Sequence, residues 1–202
     1  MKPAAVFFLS AYALAAGMLA AGRKITEDSR MNTPLKVASP VHIRWMIRRD
    51  MPEVLQTEQL SFDYSWSEED FLRCLRQRNC IGMVAEHHER VVGFMIYELH
   101  RNRLHILNFA FHPDFRRRHA GEQMIRKLVS KLSPQRRNKI MLEVRETNLP
   151  AQLFFRGMGF KAISLLKDFY EDTTEDAYLM QYRYVPTAAE AGELNRITRM
   201  AG

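Results

Sequence analysis

Apolar residues follow two kinds of spacing along this chain, and each spacing predicts its own kind of element. Alternating or continuous apolar runs between polar turns are typical of strands. In HIRWMIRR (42–49) apolar and basic residues alternate, as on a strand at the edge of a sheet, and two apolar runs on either side of HHER (87–90) predict a β-hairpin. The predicted strands are 42–49, 81–86, 91–100, 104–115, 139–146, 160–170 and 177–184.

Helical spacing of apolar residues occurs between these strands. Asp50 is expected to cap a first helix that has Pro52 in its first turn. Ser67 and Asp70 form a capping-box pattern at the start of a second helix. The helices are predicted over 50–62, 68–78, 118–132 and 149–159. The resulting order, βααβββαβαββ, predicts an α/β fold with a mixed, mostly antiparallel central sheet flanked by helices.

The first part of the chain differs in composition from the rest. Residues 3–22 carry no charge and are flanked by basic residues, a pattern typical of a signal peptide or a short membrane anchor. A start codon assigned too far upstream gives the same pattern, and the first residue is then Met31 or Met46. We expect a cytoplasmic protein, with export or membrane anchoring through residues 3–22 as the alternative. The expected parts are an N-terminal segment with a polar linker, a single globular domain and a tail: 1–41, 42–185 and 186–202.

Net charge narrows the possible partners. The 202 residues carry a formal net charge of +7, which suits nucleic acid, anionic lipid or a phosphorylated ligand. The chain has no signature of a nucleic-acid-binding module and no long Lys/Arg run, and much of the excess charge lies in residues 116–118 and 136–137. This distribution favours an anionic-ligand site and a solvated basic face, and no direct nucleic-acid binding is expected.

The cysteines indicate neither a metal site nor a disulfide. Cys74 and Cys80 lie six positions apart, form no C-x-x-C pattern and have no histidine at ligand spacing. The sequence therefore predicts two unpaired thiols, with Cys74 on the second helix.

In FRRRHAGEQMI (115–125) three arginines come directly before a helix. A helix start leaves backbone N–H groups without partners and carries a partial positive charge, so further cations are unfavourable there unless an anion binds. The stretch follows the strand ILNFAF and a proline-containing turn, and such a strand–loop–helix unit can hold phosphate. It has neither the GKS or GKT of a Walker loop nor the three glycines of a dinucleotide fingerprint. We therefore predict an anion site at this loop, and a surface arginine cluster is the alternative.

This unit resembles the acetyl-CoA motif of the GCN5-related N-acetyltransferase (GNAT) superfamily, in which a strand is followed by R/Q-x-x-G-x-G/A and a helix. The motif is matched by RRRHAG (116–121). Similarity is greatest to the RimI-like branch, the ribosomal-protein-alanine N-acetyltransferases, and it extends over residues 42–184. Three segments resemble, in order, that branch's acetyl-CoA loop, its central strand with the following helix, and its closing hairpin: LNFAFHPDFRRRHAGEQMI, LEVRETNLPAQLFFRGMGF and DFYEDTTEDAYLM.

The resemblance implies which residues bind acetyl-CoA. Backbone groups of the strand would hydrogen-bond the pantetheine arm, loop amides would hold the pyrophosphate, and an asparagine would contact the cofactor. The residues so implied are Phe109, Ala110, Phe111, Arg116, Arg117, Arg118, His119, Ala120, Gly121, Glu122 and Asn148. His119 replaces the first glycine of the motif, so either its side chain points away from the pyrophosphate or the loop shifts.

The resemblance also implies catalytic and acceptor residues. Glu143 matches the general base that takes a proton from the attacking amine, and a structural pair with an arginine is the alternative. Phe155 replaces the tyrosine that protonates the leaving thiolate, so it has no proton to give, and we expect it in the core. A thiol pKa near 8.5 makes the thiolate a fair leaving group without an acid. Tyr64 and Trp66 line the acceptor groove or, alternatively, fix two helices to the core, and Tyr170 is assigned to the acceptor site as a substitute proton donor.

The function implied is an acetyl-CoA-dependent N-acetyltransferase that uses no metal. Its acceptor is a primary amine, first of all the α-amine of an Ala- or Ser-type protein N-terminus such as that of a ribosomal protein. The departures at His119 and Phe155 motivate an alternative, a GNAT-fold module that binds CoA or a peptide with little or no turnover. Further alternatives are acetylation of lysine or a small-molecule amine, and a basic surface for RNA or a ribosomal partner.

Overall fold

A computed structural model describes residues 40–186, and its elements follow the order βααβββαβαββ. The strands are β1 (His42–Trp45), β2 (Cys80–His87), β3 (Arg90–Leu99), β4 (Leu104–Phe111), β5 (Lys139–Arg145), β6 (Lys161–Tyr170) and β7 (Glu175–Arg183). The helices are α1 (Met51–Gln59), α2 (Glu68–Leu75), α3 (Ala120–Val129) and α4 (Leu149–Gly157). The predicted α/β fold class is confirmed.

The strands form one sheet in the order β1-β2-β3-β4-β5-β7-β6. β1 lies at an edge, as its alternation of apolar and basic residues predicts, and every neighbouring pair except β4 and β5 is antiparallel. Apolar residues of α3 and α4 pack on one face of the sheet, and those of α1 and α2 pack on the other. Both faces are therefore buried, which explains the nearly continuous apolar runs of the central strands.

Local signals fix where α2 begins. The hydroxyl of Ser67 accepts the Asp70 N–H at 3.2 Å, and the Asp70 carboxylate accepts the Ser67 N–H at 3.0 Å. This is the predicted capping box, and it satisfies two backbone donors at the helix start. Phe71 and Cys74, three positions apart, then face the core.

The sheet opens between β4 and β5. These parallel strands pair only at Leu104 with Ile140 and at His105 with Met141. Beyond these pairs β4 stays bonded to β3, and β5 stays bonded to β7, but the two strands no longer bond to each other. Over residues 106–111 β4 therefore forms no ladder with β5, and a gap opens in the middle of the sheet.

The start of the domain differs from its prediction. The first strand ends at Trp45, and a short 3₁₀ turn continues into α1, so Asp50 has helical backbone angles (φ −79°, ψ −16°). Asp50 therefore makes no side-chain cap. Its carboxylate binds the Arg44 guanidinium at 2.7 and 2.9 Å and accepts the Ile47 N–H at 2.8 Å. The Asp50 carboxylate, which the local sequence pattern predicted as a helix cap, is thus used in an ion pair with Arg44 on β1.

Residues 1–39 and 187–202 lie outside the described residues. The interpretations of residues 3–22 and of the tail therefore stay predictions, as does the division of the chain into three parts. Within residues 40–186 no helix is long and apolar enough to cross a bilayer.

Candidate active site

The loop between β4 and α3 presents a row of backbone N–H groups. Arg117 and His119 have φ of +56° and +61°, and left-handed residues of this kind occur where successive N–H groups form an anion-binding concavity. The first backbone bond after the loop runs from the Gln123 N–H to the His119 carbonyl. Within the described part of the chain, the N–H groups of residues 117–122 have no acceptor. This arrangement can bind phosphate.

The three loop arginines have different surroundings. The guanidinium of Arg116 is half-buried and donates to the Phe111 carbonyl at 2.9 Å and to the Ser61 hydroxyl at 2.8 Å. The Arg118 guanidinium lies 5.5 Å from the centre of the Phe115 ring, and Arg117 is exposed. Arg116 thus connects the loop to the segment after α1, whereas Arg117 faces solvent.

His119 has a left-handed backbone conformation, which glycine adopts without strain. It precedes α3, and its exposed ring places Nδ1 2.8 Å from the Glu122 carboxylate. At Gly121 a Cβ would lie 3.2 Å from Cζ of Phe154, so this glycine lets α3 approach α4 closely. The histidine therefore changes the side chain at the first glycine position but not the left-handed backbone.

The end of β4 contributes backbone on one side and rings on the other. Phe109, Ala110 and Phe111 pair with β3 and form no ladder with β5, so this segment borders the gap, and the Phe111 carbonyl accepts the Arg116 guanidinium. The Phe109 ring stacks on Phe154, with 5.9 Å between centroids, and the Phe155 ring centroid lies 6.0 Å away. The aromatic core behind the strand thus holds its end in place.

Two residues assigned by resemblance have internal partners. Phe155 is fully buried, and its ring also contacts that of Phe160, so it is a core residue as expected. The side-chain oxygen of Asn148 accepts the Ala151 N–H at 3.2 Å and caps α4. The resemblance assigns Asn148 to the cofactor, and the structure adds this capping bond.

Glu143 and His105 form the central polar pair. Nε2 of His105 lies 2.8 and 3.1 Å from the two carboxylate oxygens of Glu143, and both side chains are largely buried. A carboxylate only accepts hydrogen bonds, so the pairing places the imidazole proton on Nε2. Glu143 lies two residues beyond Met141, the last residue of β5 that pairs with β4, where these two strands part. The partner of Glu143 is thus a histidine, not the arginine that the alternative interpretation named.

A second carboxylate, Glu58 on α1, is fully buried. Its oxygens accept the Trp66 N–H at 2.7 Å and the Asn108 amide at 3.1 Å. Burial outweighs these bonds and raises the pKa of Glu58 from its ordinary 4.5 to about 7. Glu58 therefore connects α1, the segment before α2 and β4 through one carboxylate that titrates near neutral pH.

Arg145 holds the hairpin between β6 and β7 against β5. Its buried guanidinium binds Asp172 at 2.6 Å and also pairs with Glu175 and Thr173. The ring of Tyr170 lies 3.8 Å from the guanidinium carbon, and burial raises the pKa of that phenol well above its ordinary value.

Tyr64 and Trp66 were both predicted to line an acceptor groove, but only Tyr64 lies near Arg145 and its partners. Tyr64 is 54% exposed and its ring centre lies 6.0 Å from the Arg145 guanidinium carbon. Trp66 packs edge-on against Phe71, with 5.1 Å between centroids. Trp66 therefore fixes the segment before α2 to the core, and Tyr64 lies at the rim of the Arg145 cluster.

The sequence-based site did not include His105, Glu58, Asn108 and Arg145. Each is a polar residue within an apolar pattern. A polar residue is unusual in a buried element, so its presence indicates a specific role. His105 and Asn108 interrupt the run LHILNFAF, and Glu58 lies four positions after the buried Val54 on α1. A cavity of about 440 Å³ between α4 and the β6–β7 pair contains none of the predicted site residues.

Comparison with known proteins identifies the family. Residues 43–160 match the sequence profile of the acetyltransferase (GNAT) family. The chain belongs to the GNAT family. It is therefore an N-acetyltransferase, and acetyl-CoA is its acetyl donor. The family's reaction needs no metal ion.

Individual GNAT proteins resemble this chain over most of their length. The ribosomal protein bS18-alanine N-acetyltransferase of Salmonella typhimurium is 27% identical over 133 residues, which are 65% of this chain and 89% of that protein. The crystal structure of Ard1 from Thermoplasma volcanium has a TM-score of 0.66 at 27% identity, and the match covers 74% of this chain and all of that one.

A plant structure shows the same fold with the cofactor bound. Arabidopsis thaliana NAA60 in complex with acetyl-CoA has a TM-score of 0.64 at 19% identity, with 71% of this chain and 99% of that chain covered. At this identity the likeness concerns the fold alone.

Proposed function

We propose that this GNAT protein acetylates the α-amine of a protein N-terminus, with a ribosomal protein that begins with Ala or Ser as the first candidate. The relatives named for ribosomal protein bS18 alanine support the acceptor class. The observation that carries the proposal is the position of Glu143, which lies at the point where β4 and β5 part.

Acetyl-CoA would bind along β4 and the loop that follows. The N–H groups of residues 117–122 would hold the pyrophosphate, and backbone groups of residues 109–111, which form no ladder with β5, would bond the pantetheine arm. Backbone N–H groups of residues 109–111 can also stabilise the oxyanion that forms on the thioester carbonyl. This placement brings the thioester into the gap between the strands.

Glu143 would serve as the general base. The neutral amine attacks the thioester carbon, Glu143 accepts the proton that the nitrogen loses, and the C–S bond breaks as the amide forms. His105 donates its Nε2–H to Glu143 and so positions the carboxylate. The thiolate leaves and takes a proton from solvent, because Phe155 offers none.

The acceptor would enter between the segment before α2 and the β6–β7 hairpin. The rings of Tyr64 and Tyr170 both lie near the Arg145 guanidinium there, and the hairpin is held by the ion pairs of that arginine. We assign these two tyrosines to the acceptor site and Trp66 to the support behind it.

Peptide acetylation tests this function. The protein is incubated with acetyl-CoA and three peptides of one ribosomal-protein sequence: one with a free Ala N-terminus, one with a blocked N-terminus and a free lysine, and one with both blocked. Mass spectrometry should show a gain of one acetyl group on the first peptide alone. Acetylation of the second peptide at an equal rate would mean a lysine acetyltransferase, and CoA binding without any product would mean a binding module.

We further propose that the protein acts in the cytoplasm, where acetyl-CoA and ribosomal proteins occur together. The intact mass of the native protein tests this. A chain that begins at Met31 or Met46 supports the proposal, whereas cleavage near Ala21 would mean export and contradict it.

A further inference from the structure

Three residues with metal-binding side chains meet at the β3–β4 hairpin, beside the proposed base. Glu98 lies near the end of β3 and is directly opposite His105 on β4, and His100 follows β3 immediately. Residues opposite each other on antiparallel strands place their side chains on the same face of the sheet. One ligand atom from each of Glu98, His100 and His105 lies within 4.8 Å of the other two.

In His100 and His105, one ring nitrogen each is placed so that it can bind a metal ion. Nε2 of His100 is shielded from solvent and lies 3.1 Å from the Glu98 carboxylate, with poor geometry for a hydrogen bond. A shielded imidazole nitrogen and a carboxylate this close together can both bind one metal ion. In His105 the proton on Nε2 is directed to Glu143, which leaves the lone pair on Nδ1 for a metal ion.

We propose that Glu98, His100 and His105 bind a divalent transition-metal ion of the zinc type. Two imidazoles and one carboxylate are ligands that zinc favours, and three protein ligands leave one coordination position open. The bond from His105 to Glu143 supplies the carboxylate–histidine–metal arrangement that is usual behind metal-bound histidines. Small side-chain movements would bring the three ligands to the distances of a tetrahedral site.

The ion would regulate acetyl transfer and take no part in the reaction. A metal ion bound to the His105 ring would draw that ring toward Glu98 and His100, and so move the Glu143 carboxylate, which bonds to Nε2 of the same ring, away from its position in the gap. Bound zinc should therefore slow acetyl transfer. This effect rests on the proposed role of Glu143, whereas zinc binding itself does not.

Zinc binding is measured by competition with a chromophoric chelator, using the full chain. Cys74 and Cys80 are both free thiols with their sulfurs 2.6 Å apart, and thiolates also bind zinc, so both are replaced by serine in the starting protein. We expect one zinc ion per chain. His100→Ala and Glu98→Gln should each weaken binding at least about tenfold, and the exposed His88→Ala should leave it unchanged.

Cobalt substitution gives a second readout that is independent of activity. Cobalt bound to the starting protein should show the visible absorption of a four-coordinate site, and His100→Ala should remove it. Far-UV circular dichroism of the zinc-free variants checks that they are folded; His100 lies in a connection outside the strands, so its replacement should leave the fold intact.

Particular results would overturn the proposal. These are the absence of zinc binding in the serine variant, or equal binding by the starting protein and by both His100→Ala and Glu98→Gln. Zinc binding without inhibition would keep the site and remove its regulatory role. Loss of peptide acetylation in every variant and in the parent would contradict the proposed function and leave the binding result untouched.

Discussion

At the scale of single residues, two buried carboxylates near the gap are distinguished by their partners. Glu143 accepts both of its bonds from one ring nitrogen of His105, whereas Glu58 bonds a backbone N–H and a side-chain amide. The bonds to His105 orient the Glu143 carboxylate at the point where β4 and β5 part. The bonds of Glu58 hold α1, the segment before α2 and β4 together, and they depend on whether Glu58 is ionised.

Replacing Glu143 by Gln should lower kcat by roughly a hundredfold to ten-thousandfold, because the amide cannot accept the proton of the amine. Binding of acetyl-CoA should be nearly unchanged, since the proposed cofactor contacts lie on β4, on the loop after it and at Asn148, and Glu143 is not among them. Steady-state kinetics and calorimetry measure the two effects. Glu146→Gln makes the same change three residues away at an exposed position and should leave both values unaltered. Full activity of the Glu143 variant would exclude it as the base.

Replacing Glu58 by Gln should change how stability depends on pH. The pKa of Glu58 is raised from 4.5 to about 7 on folding, so the folded chain holds this proton more tightly than the unfolded chain. Ionisation therefore lowers the free energy of unfolding as the pH rises from about 4.5 to about 7, by on the order of 2–3 kcal/mol. In the variant this loss should disappear.

The measurement for Glu58 compares thermal midpoints at pH 5 and pH 8. The thermal midpoint of the Glu58 variant minus that of the unmodified protein should be larger at pH 8 than at pH 5. For Glu146→Gln this difference should be the same at both pH values. The glutamine can donate to the side-chain oxygen of Asn108, which has no partner among the described residues, once that amide turns over. Parallel pH curves for the two proteins would show that Glu58 does not titrate in this range.

At the scale of elements, the unit of β4, loop and α3 depends on backbone conformation more than on its arginines. The positive φ at Arg117 and His119 orients the loop, and Gly121 lets α3 pack against Phe154. Arg116 meanwhile bonds inward to Phe111 and Ser61. The loop therefore has its shape before any anion binds.

His119 variants test this view of the loop. His119→Gly should bind CoA as tightly or up to about threefold more tightly, because glycine adopts the left-handed conformation without strain. His119→Val should destabilise the protein by about 1–2 kcal/mol, since a β-branched residue is strongly disfavoured at positive φ. Calorimetric titration with CoA and thermal unfolding measure these effects. Equal stability of the valine and glycine variants would contradict the left-handed assignment.

At the scale of the whole molecule, the proposed acceptor site is held by contacts between residues far apart in sequence. Arg145 on β5 binds Asp172 and Glu175 on the β6–β7 hairpin, 27 and 30 positions later. The same guanidinium lies against Tyr170. The hairpin, the central strand and the proposed acceptor site thus depend on one buried cation.

Replacing Arg145 by Met should destabilise the protein by about 3 kcal/mol, because it leaves two acidic groups without their buried partner. KM for the peptide should rise as the hairpin loosens, whereas acetyl-CoA affinity should change little. Denaturant unfolding and peptide kinetics measure these effects. Arg73→Met removes an exposed pair with Asp70 on α2 and should cost less than about 1 kcal/mol. Equal effects of the two substitutions would contradict the structural role of Arg145.

The sequence alone predicted what depends on neighbours along the chain. The order of elements, the Ser67–Asp70 capping box and the anion loop at residues 116–122 arise from periodicity, capping and backbone chemistry, all of which are local. The core position of Phe155 followed from its apolar surroundings. The resemblance to GNAT proteins then supplied Glu143, whose role stays a prediction.

Only the tertiary structure decided which polar groups meet. His105 lies 38 positions from Glu143, Asn108 lies 50 from Glu58, and Glu175 lies 30 from Arg145, so no local pattern could pair them. The gap between β4 and β5 likewise depends on where the hydrogen-bonded pairing of these two strands ends, and the strands are far apart in the sequence. Sequence spacing determines elements because their bonds are local, whereas the site is made by side chains that only the assembled sheet brings together.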